Sequence, residues 1–213
     1  SRDERPSTLH AAASATMIDT THPERPMPVI DSVARLRELI GDPSPVVAHK
    51  FHEKLNARAR DFIARSPLLF LATADADGRP CVSPKGDGPG VAIVEDDGTL
   101  LLPERKGNRL VYSLQNVLAN PAVELIFVVP RTSETLRVQG RATLVDDPDL
   151  CARHDSRGRP ALLVMRVAVT KCYFHCGKSL LRAGVWDPAT WPDPVTVSFG
   201  CEIAEEGGLD STE

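Results

Sequence analysis

Between residues 68 and 175 the chain consists mostly of short apolar runs that turn residues separate. In order, the runs are LLFLATAD, CVS, GVAIVE, TLLLPE, AVELIFVVP, TLRVQGRATLV and ALLVMRVAVTKCYFH. The Asp-Gly steps at Asp77-Gly78 and Asp97-Gly98 favour β-turns between such runs. Closely spaced strands with these turns predict an antiparallel meander that closes into a barrel. The predicted fold class is therefore mainly β, a β-barrel with helices added to it.

Helices are predicted before the first strand and at two places farther along the chain. Asp31 can cap a short helix, and a second helix is predicted over residues 46–65, ended by Ser66-Pro67. Two more helices are predicted over residues 107–121 and 176–184. The apolar face of the first helix would be formed by Val33, Leu36, Leu39 and Ile40.

These elements divide the chain into four parts. Residues 1–28 are rich in Pro, Thr, Ser and Arg and lack periodicity, which predicts a flexible tail. Residues 29–66 form an N-terminal helical segment, residues 67–190 the barrel, and residues 191–213 a C-terminal tail.

Composition and charge exclude several classes of function. The net charge of −4 argues against a nucleic-acid-binding protein, which would normally carry a basic excess. No apolar run approaches the roughly 20 residues that span a bilayer, and the N-terminus has no apolar core of a secretory signal. Five cysteines, an odd number, fit a reducing compartment better than a disulfide framework. We therefore expect a cytoplasmic protein that contacts neither nucleic acid nor membrane.

The loop SPKGDGPG, residues 83–90, is longer than a hairpin needs, since two turn residues suffice for one. Its glycines and prolines suit a wide loop whose backbone N–H groups could face an anion, with Lys85 as a point charge. The alternative is a solvated turn with one surface lysine, which is the commoner meaning of such a stretch taken alone.

The stretch LLLPERKGNRL, residues 100–110, runs from an apolar strand into three cations, Arg105, Lys106 and Arg109. Gly107 and Asn108 lie between them, where the third helix is predicted to begin. Cations beside a helix N-terminus with free N–H groups predict a phosphate site. The alternative is an exposed basic turn.

Cys172, His175 and Cys176 suggest a zinc site, but no second Cys/His pair with finger-type spacing follows, and no metal is predicted. A catalytic Cys–His pair is also disfavoured, because neighbouring residues on a strand project in different directions and no orienting acid is identifiable. Farther on, Lys178 could meet an anionic group, and the ring of Trp186 could cover a planar ligand.

Taken together and in this order, these segments resemble the pyridoxamine 5'-phosphate oxidase-like family of FMN-binding split-barrel proteins, and most closely an uncharacterised bacterial branch of it. The matching pieces extend from Phe70 to Trp186. They are FLATADADGRPCVSPKGDGPG, LLLPERKGNRL, NPAVELIFVVP, ETLRVQGRA and FHCGKSLLRAGVW. The resemblance implies a six-stranded antiparallel Greek-key split barrel. It also implies a homodimer with an FMN in each of two clefts at the subunit interface.

The resemblance further implies which residues contact FMN, some of them from the partner chain. They are Ser83, Pro84, Lys85 and Gly86, then Leu102, Pro103, Arg105, Lys106, Gly107, Asn108 and Arg109, and finally Ser113, Asn116, Arg137, Lys178 and Trp186. No general base is assigned; His175 is the best candidate by position, although a structural histidine is the commoner case. The R-x-H motif that holds the substrate in the true oxidases is absent from the C-terminal residues, so pyridoxamine phosphate oxidation is not expected.

Three functions remain open at this point. The leading one is an FMN-dependent oxidoreductase that acts on an unidentified small molecule, with the hydride chemistry supplied by the flavin. The second is a carrier or sensor that binds FMN, haem or a deazaflavin without efficient turnover. The third is a non-catalytic dimeric barrel whose cations are surface charge only.

Overall fold

A computed structural model describes residues 27–207, and the fold divides between residues 44 and 45. On the N-terminal side the first helix, α1, extends over Val33–Ile40. Its cap is Ser32, whose Oγ accepts the N–H of Arg35 at 3.2 Å, and not Asp31 as predicted. The correction has a local cause: the backbone of Ser32 is still extended, so the helix begins one residue later than the sequence suggested. The predicted flexible tail lies almost wholly outside the described residues.

The single helix predicted over residues 46–65 is wrong. A 3₁₀ helix covers Pro45–Lys50, and the α-helix α2 begins only at Ala57 and ends at Arg65. Between them the backbone bonds to the sheet: His52 and Cys172 exchange two N–H···O bonds of 2.9 and 2.7 Å. Asn56 then caps α2, since its Oδ1 accepts the N–H of Ala59 at 2.9 Å. The predicted end of the helix at Ser66-Pro67 is confirmed.

Seven antiparallel strands form one sheet, where the family resemblance implied six. They are β1 (Leu68–Ala74), β2 (Pro80–Gly86), β3 (Ile93–Asp96), β4 (Thr99–Pro103), β5 (Ala122–Val128), β6 (Glu134–Val145) and β7 (Val164–Cys176). The order across the sheet is β2-β1-β5-β6-β7-β4-β3. The seven strands correspond to the seven apolar runs, which confirms a mainly β antiparallel fold. The edge strands β2 and β3 do not pair with each other, so the described sheet is not closed by hydrogen bonds.

The remaining α-helices are α3 (Tyr112–Ala119), α4 (Pro148–Arg153), α5 (Lys178–Arg182) and α6 (Phe199–Gly207), and a second 3₁₀ helix covers Pro188–Thr190. Helix α3 begins five residues later than predicted, because Arg109 and Val111 have φ of +65° and +49° and cannot belong to a right-handed helix. Helix α4 was not predicted, and α6 lies in the segment assigned to the C-terminal tail. None of the helices between residues 27 and 207 is both long and apolar enough to cross a membrane.

The larger of two buried clusters lies on one face of the sheet, against α2 and α3. Alternate residues of the central strands are buried there, and Ile63 of α2 and Leu114 of α3 belong to the same cluster. Strand β6 shows this alternation: Leu136 and Val138 are fully buried, whereas Arg137 lies half-buried on the opposite face. Burial of one face therefore fixes which side chains of β6 face the core.

The loop between β2 and β3 covers residues 87–92, and not 83–90 as predicted, because residues 83–86 belong to β2. These strands are consecutive in the chain but lie at opposite edges of the sheet, so the loop cannot be a hairpin and the predicted meander is broken here. The loop is tied to the end of α2, since the N–H groups of Asp87 and Gly90 donate to the carbonyls of Pro67 and Ser66 at 3.2 and 3.1 Å. This course brings the end of β2 beside the end of β4.

Candidate ligand-binding site

A pocket of about 770 Å³ lies where the ends of β2 and β4, the segment leading to α3 and the start of β7 meet. Its volume is within the range of small-molecule sites. It brings together most of the predicted cofactor residues, namely Ser83, Pro84, Lys85, Gly86, Leu102, Pro103, Arg105, Lys106, Gly107, Asn108, Arg109 and Ser113. The glycine-rich loop and the cationic turn are thus two walls of one site.

The floor of the pocket is apolar. Leu71, Leu102, Leu114 and Met165 line it, and all four are buried side chains of the core cluster. Each comes from a different element, β1, β4, α3 and β7 respectively, so the packing of the core fixes the shape of the floor. Such a surface suits the face of a planar ring system.

Two reciprocal ion pairs join the walls. Lys85 Nζ donates to Glu104 Oε2 at 2.6 Å, and Arg105 Nε donates to Asp87 Oδ2 at 3.2 Å. One cation and one carboxylate thus come from the end of β2, and their partners follow β4 directly. All four side chains are between 21% and 32% exposed, so solvent screens the pairs only in part.

The Arg105–Asp87 pair also bonds to the loop that follows α4. Arg105 Nη1 donates to the carbonyl of His154 at 2.7 Å, and Ser156 Oγ donates to Asp87 Oδ1 at 3.1 Å. The N–H of Gly88 donates to the same carboxylate, and this bond is the main cause that lowers the pKa of Asp87, with Ser156 and Arg105 acting in the same direction against burial. Asp87 is therefore a carboxylate at neutral pH, and two nitrogens of Arg105, Nε and Nη1, donate to protein groups.

Lys106 and Arg109 also line the pocket, but they differ from Lys85 and Arg105 in exposure and in ion pairing. Both are exposed, and neither takes part in an ion pair between residues 27 and 207. With Lys85 and Arg105 neutralised by Glu104 and Asp87, the lining carries a surplus of two positive charges, although the whole chain has a net charge of −4. This is a local anion-attracting site.

The N-terminus of α3 opens into the same end of the pocket. Its N-cap residue is Val111, which has no side-chain oxygen to accept the first helical N–H groups. Val111, Tyr112 and Ser113 all line the pocket. An uncapped helix N-terminus attracts anions through its N–H groups and its dipole. Arg109 and Val111, both with positive φ, shape this approach, and a β-branched residue in that conformation is a strained feature of the kind found at functional sites.

Ser113 and Asn116, both predicted to contact the cofactor, attach α3 to the sheet. The hydroxyl oxygens of Ser113 and Ser83 lie 2.7 Å apart, and both residues line the pocket. Asn116 Nδ2 donates to Thr73 Oγ1 at 3.0 Å, and this residue does not line the pocket. Asn116 therefore positions α3 against β1 in this chain.

The other predicted residues lie away from the pocket. Arg137 is on the opposite face of the sheet, where its Nη1 is 3.7 Å from Glu124 Oε1. Lys178 and Trp186 lie in and after α5, and the indole Nε1 of Trp186 is buried without a partner among the described residues. His175 is exposed on β7, with its Nδ1 3.1 Å from the carbonyl of Cys176.

Cys172 is a buried thiol in this structure, and burial raises its pKa. Its Sγ donates to the carbonyl of Lys54 at 3.1 Å, so it is packed and hydrogen-bonded within the core. Across residues 27–207 there is no cluster of three or more His, Cys, Asp or Glu residues with the geometry to hold a metal ion.

Sequence reasoning missed the two carboxylates, Asp87 and Glu104, and the apolar rim formed by Leu110, Val111, Tyr112 and Leu162. A signal for the carboxylates was present, because each lies one or two residues from a cation in the two segments already singled out. That Lys85 pairs with Glu104, 19 residues away, follows only from the fold.

Comparison with known proteins identifies the family. The model of the family described as pyridoxamine 5'-phosphate oxidase matches residues 55–176, more than half of the chain. The chain belongs to this family. The predicted membership is confirmed, and the sheet described above is a pyridoxamine 5'-phosphate oxidase-like split barrel. The family match contains every residue that lines the pocket, whereas Lys178 and Trp186 fall outside it.

Three solved bacterial structures are similar in fold to parts of this chain. A variant of HupZ from Group A Streptococcus is 22% identical, with a TM-score of 0.48 over 57% of this chain and 99% of that chain. A protein of the pyridoxinephosphate oxidase family from Clostridium acetobutylicum is 12% identical, with a TM-score of 0.44 over 56% and 86%. HutZ, the heme storage protein from Vibrio cholerae, is 17% identical, with a TM-score of 0.41 over 58% and 94%. No curated protein matches the chain. Membership of the family rests on residues 55–176 and not on these likenesses.

Proposed function

We propose that the pocket binds FMN and that the protein is an FMN-dependent oxidoreductase acting on a small molecule. The observation that carries the proposal is the division of the pocket into an anion-attracting end, at Lys106, Arg109 and the N-terminus of α3, and an apolar floor. FMN has the complementary form, a phosphate dianion on a chain that leads to a planar ring. The residues present fit the group in charge, in volume and in hydrogen-bond donors.

In this proposal each part of the pocket has one task. Lys106 and Arg109 hold the phosphate together with the N–H groups at the start of α3, and the buried floor residues support one face of the ring and exclude water from it. Lys85 would lie near the ring, with its charge neutralised by Glu104. FMN, when bound, supplies hydride chemistry at its ring. Arg105 positions the walls through Asp87 and His154 and does not contact the phosphate.

We also propose the homodimer with FMN at the subunit interface. Arg137, Lys178 and Trp186 lie away from the pocket of their own chain, as expected if they complete the site of a partner. Phe70 and Val82 are exposed apolar residues on the sheet face that carries Arg137, which suits a face covered by a second subunit. All five cysteines are free, which supports the proposed cytoplasmic location.

FMN titration tests the site. The double variant Lys106→Ala/Arg109→Ala should bind FMN at least 100-fold more weakly than wild type, because each charge-assisted contact contributes about 1.5–3 kcal/mol and 1.4 kcal/mol is tenfold in affinity. The matched control is Arg58→Ala/Arg141→Ala, which removes two exposed cations outside the pocket. Quenching of flavin fluorescence measures the affinity.

Riboflavin, which lacks the phosphate, provides the second arm. Wild type should prefer FMN to riboflavin, and the pocket variant should lose most of that preference while its riboflavin affinity stays constant. Equal FMN affinity in both double variants would place the phosphate elsewhere. A monomer that retains FMN in analytical ultracentrifugation would contradict the interface site, and failure of NADH and NADPH to reduce bound FMN would favour the carrier function over the oxidoreductase.

A further inference from the structure

The charges that line the pocket leave no cation for a second anion once FMN is bound. Lys85 and Arg105 are each within hydrogen-bond distance of a carboxylate, at 2.6 and 3.2 Å. The surplus of two positive charges comes from Lys106 and Arg109 alone. A phosphate monoester carries a charge of about −1.5 to −2 at pH 7, so the phosphate of FMN matches that surplus.

Glu104 decides what Lys85 can attract. The two side chains are only 21% and 25% exposed, and their 2.6 Å bond is the shortest ion pair between described residues. An anion that approached Lys85 would also meet the carboxylate of Glu104, in a partly desolvated wall where like charges repel strongly. The backbone of Glu104 is fixed as well, because its N–H and carbonyl bond to Leu163 and Leu162 at 2.9 and 3.0 Å. The bond to Lys85 and the two backbone bonds therefore hold the Glu104 carboxylate in place.

Exposed apolar side chains line the opening of the pocket in addition to its two exposed cations. Leu110, Val111, Tyr112 and Leu162 line it and are 46% to 61% exposed. Four large apolar side chains around one opening provide a surface that an uncharged, partly apolar molecule would cover on binding.

We infer that Glu104 is a specificity-determining residue that makes the pocket select an uncharged, partly apolar second ligand and reject anionic ones, phosphate esters included. This inference rests on the proposed function, because it concerns the molecule that shares the pocket with FMN. Glu104 acts by neutralising Lys85, and Asp87 does the same for Arg105.

The test compares two ligands of the same shape on the FMN-loaded protein. Naphthalene-2-sulfonamide is uncharged at pH 7, and naphthalene-2-sulfonate is an anion; neither is reduced by a flavin, so equilibrium dialysis reports binding alone. Wild type should bind the sulfonamide at least tenfold more tightly than the sulfonate. Glu104→Gln leaves Lys85 uncompensated, so it should strengthen sulfonate binding at least tenfold and leave sulfonamide binding unchanged.

Two further variants keep the test decisive. Glu53→Gln, an exposed carboxylate outside this pocket, changes the net charge equally and should leave the ratio of the two affinities as in wild type. Lys85→Met should move the ratio the opposite way from Glu104→Gln, toward the sulfonamide. Equal affinities in wild type, no binding of either ligand, or an unchanged ratio in both Glu104→Gln and Lys85→Met would overturn the inference while FMN binding stands. A protein that takes up no FMN would overturn the proposed function itself and this inference with it.

Discussion

Replacement of Arg105 by alanine should lower the stability of the protein more than its affinity for FMN. The guanidinium group joins three segments: it donates to Asp87 after β2 and to the carbonyl of His154 after α4, while its own backbone follows β4. Arg105→Ala removes both bonds and leaves the carbonyl of His154 without this donor. The segment after α4 then loses this link to β2 and β4, while the Lys85–Glu104 pair still joins the ends of those two strands.

The expected loss of stability is about 2 kcal/mol. A hydrogen bond to a charged group contributes about 1.5–3 kcal/mol when it is desolvated, and an exposed ion pair about 0–1 kcal/mol. Arg105 and Asp87 are 32% and 28% exposed, so the ion pair is assigned about 0.5–1 kcal/mol and the bond to the carbonyl about 1–1.5 kcal/mol, each with its screening included. For a chain of this length 1 kcal/mol corresponds to about 2–4 °C in Tm, so Tm should fall by about 4–8 °C.

Urea denaturation of the ligand-free protein, followed by circular dichroism, measures this loss. Asp87→Asn and the double variant complete a thermodynamic cycle, in which the pair should show a coupling of about 0.5–1 kcal/mol. An Arg105→Ala variant as stable as wild type that binds FMN 100-fold more weakly would refute the reasoning. Arg105 would then be a phosphate ligand, as the sequence alone predicted.

Three other predictions concern single side chains. Gly140→Ala should destabilise the fold by about 2–3 kcal/mol in urea denaturation, because the added Cβ would lie 2.5 Å from the carbonyl oxygen of Ala168. The control is Gly88→Ala, which has open space around the added Cβ and should change stability by less than about 0.5 kcal/mol. Asp87 has a lowered pKa in the folded protein. Its contribution to the free energy of unfolding should therefore be present above its unfolded pKa of about 4 and disappear as the pH falls through the folded pKa. The free energy of unfolding measured as a function of pH should show this loss for wild type and not for Asp87→Asn. Cys172 should react with a thiol reagent far more slowly than the exposed Cys176, since burial raises its pKa and blocks access, and mass spectrometry of timed samples reports the order.

The strands were predictable from the sequence, but their neighbours in the sheet were not. Each strand coincides with an apolar run, because burial on one face imposes a period of two that a sequence displays directly. A meander predicts that β2 pairs with β3, yet among the seven described strands β2 pairs with β1 and β3 with β4, and not with each other. Pairing depends on contacts between distant residues, which local patterns do not contain.

The helices show the same division between local and distant causes. Residues 46–65 have helical spacing throughout, but the backbone of His52 bonds to Cys172 and that of Leu55 to Asp97, and these bonds end the helical run. In the site, charge and glycine content identified the two loops that form the walls. The pairing of their cations with Asp87 and Glu104 depends on the fold, so the sequence could not separate the cations that are free from those that are neutralised.

The placement of β2 and β3 at opposite edges of the sheet has a consequence for folding kinetics. The β1–β2 and β3–β4 hairpins are local and can form early, as can the β5–β6–β7 unit, but the hairpins join that unit at its two ends, β1 on β5 and β4 on β7. The pocket needs residues from both hairpins, so it is completed only when the second one docks. A ligand of this pocket added during refolding should therefore bind after the main rise in β-structure, and its fluorescence change would mark the last step of folding.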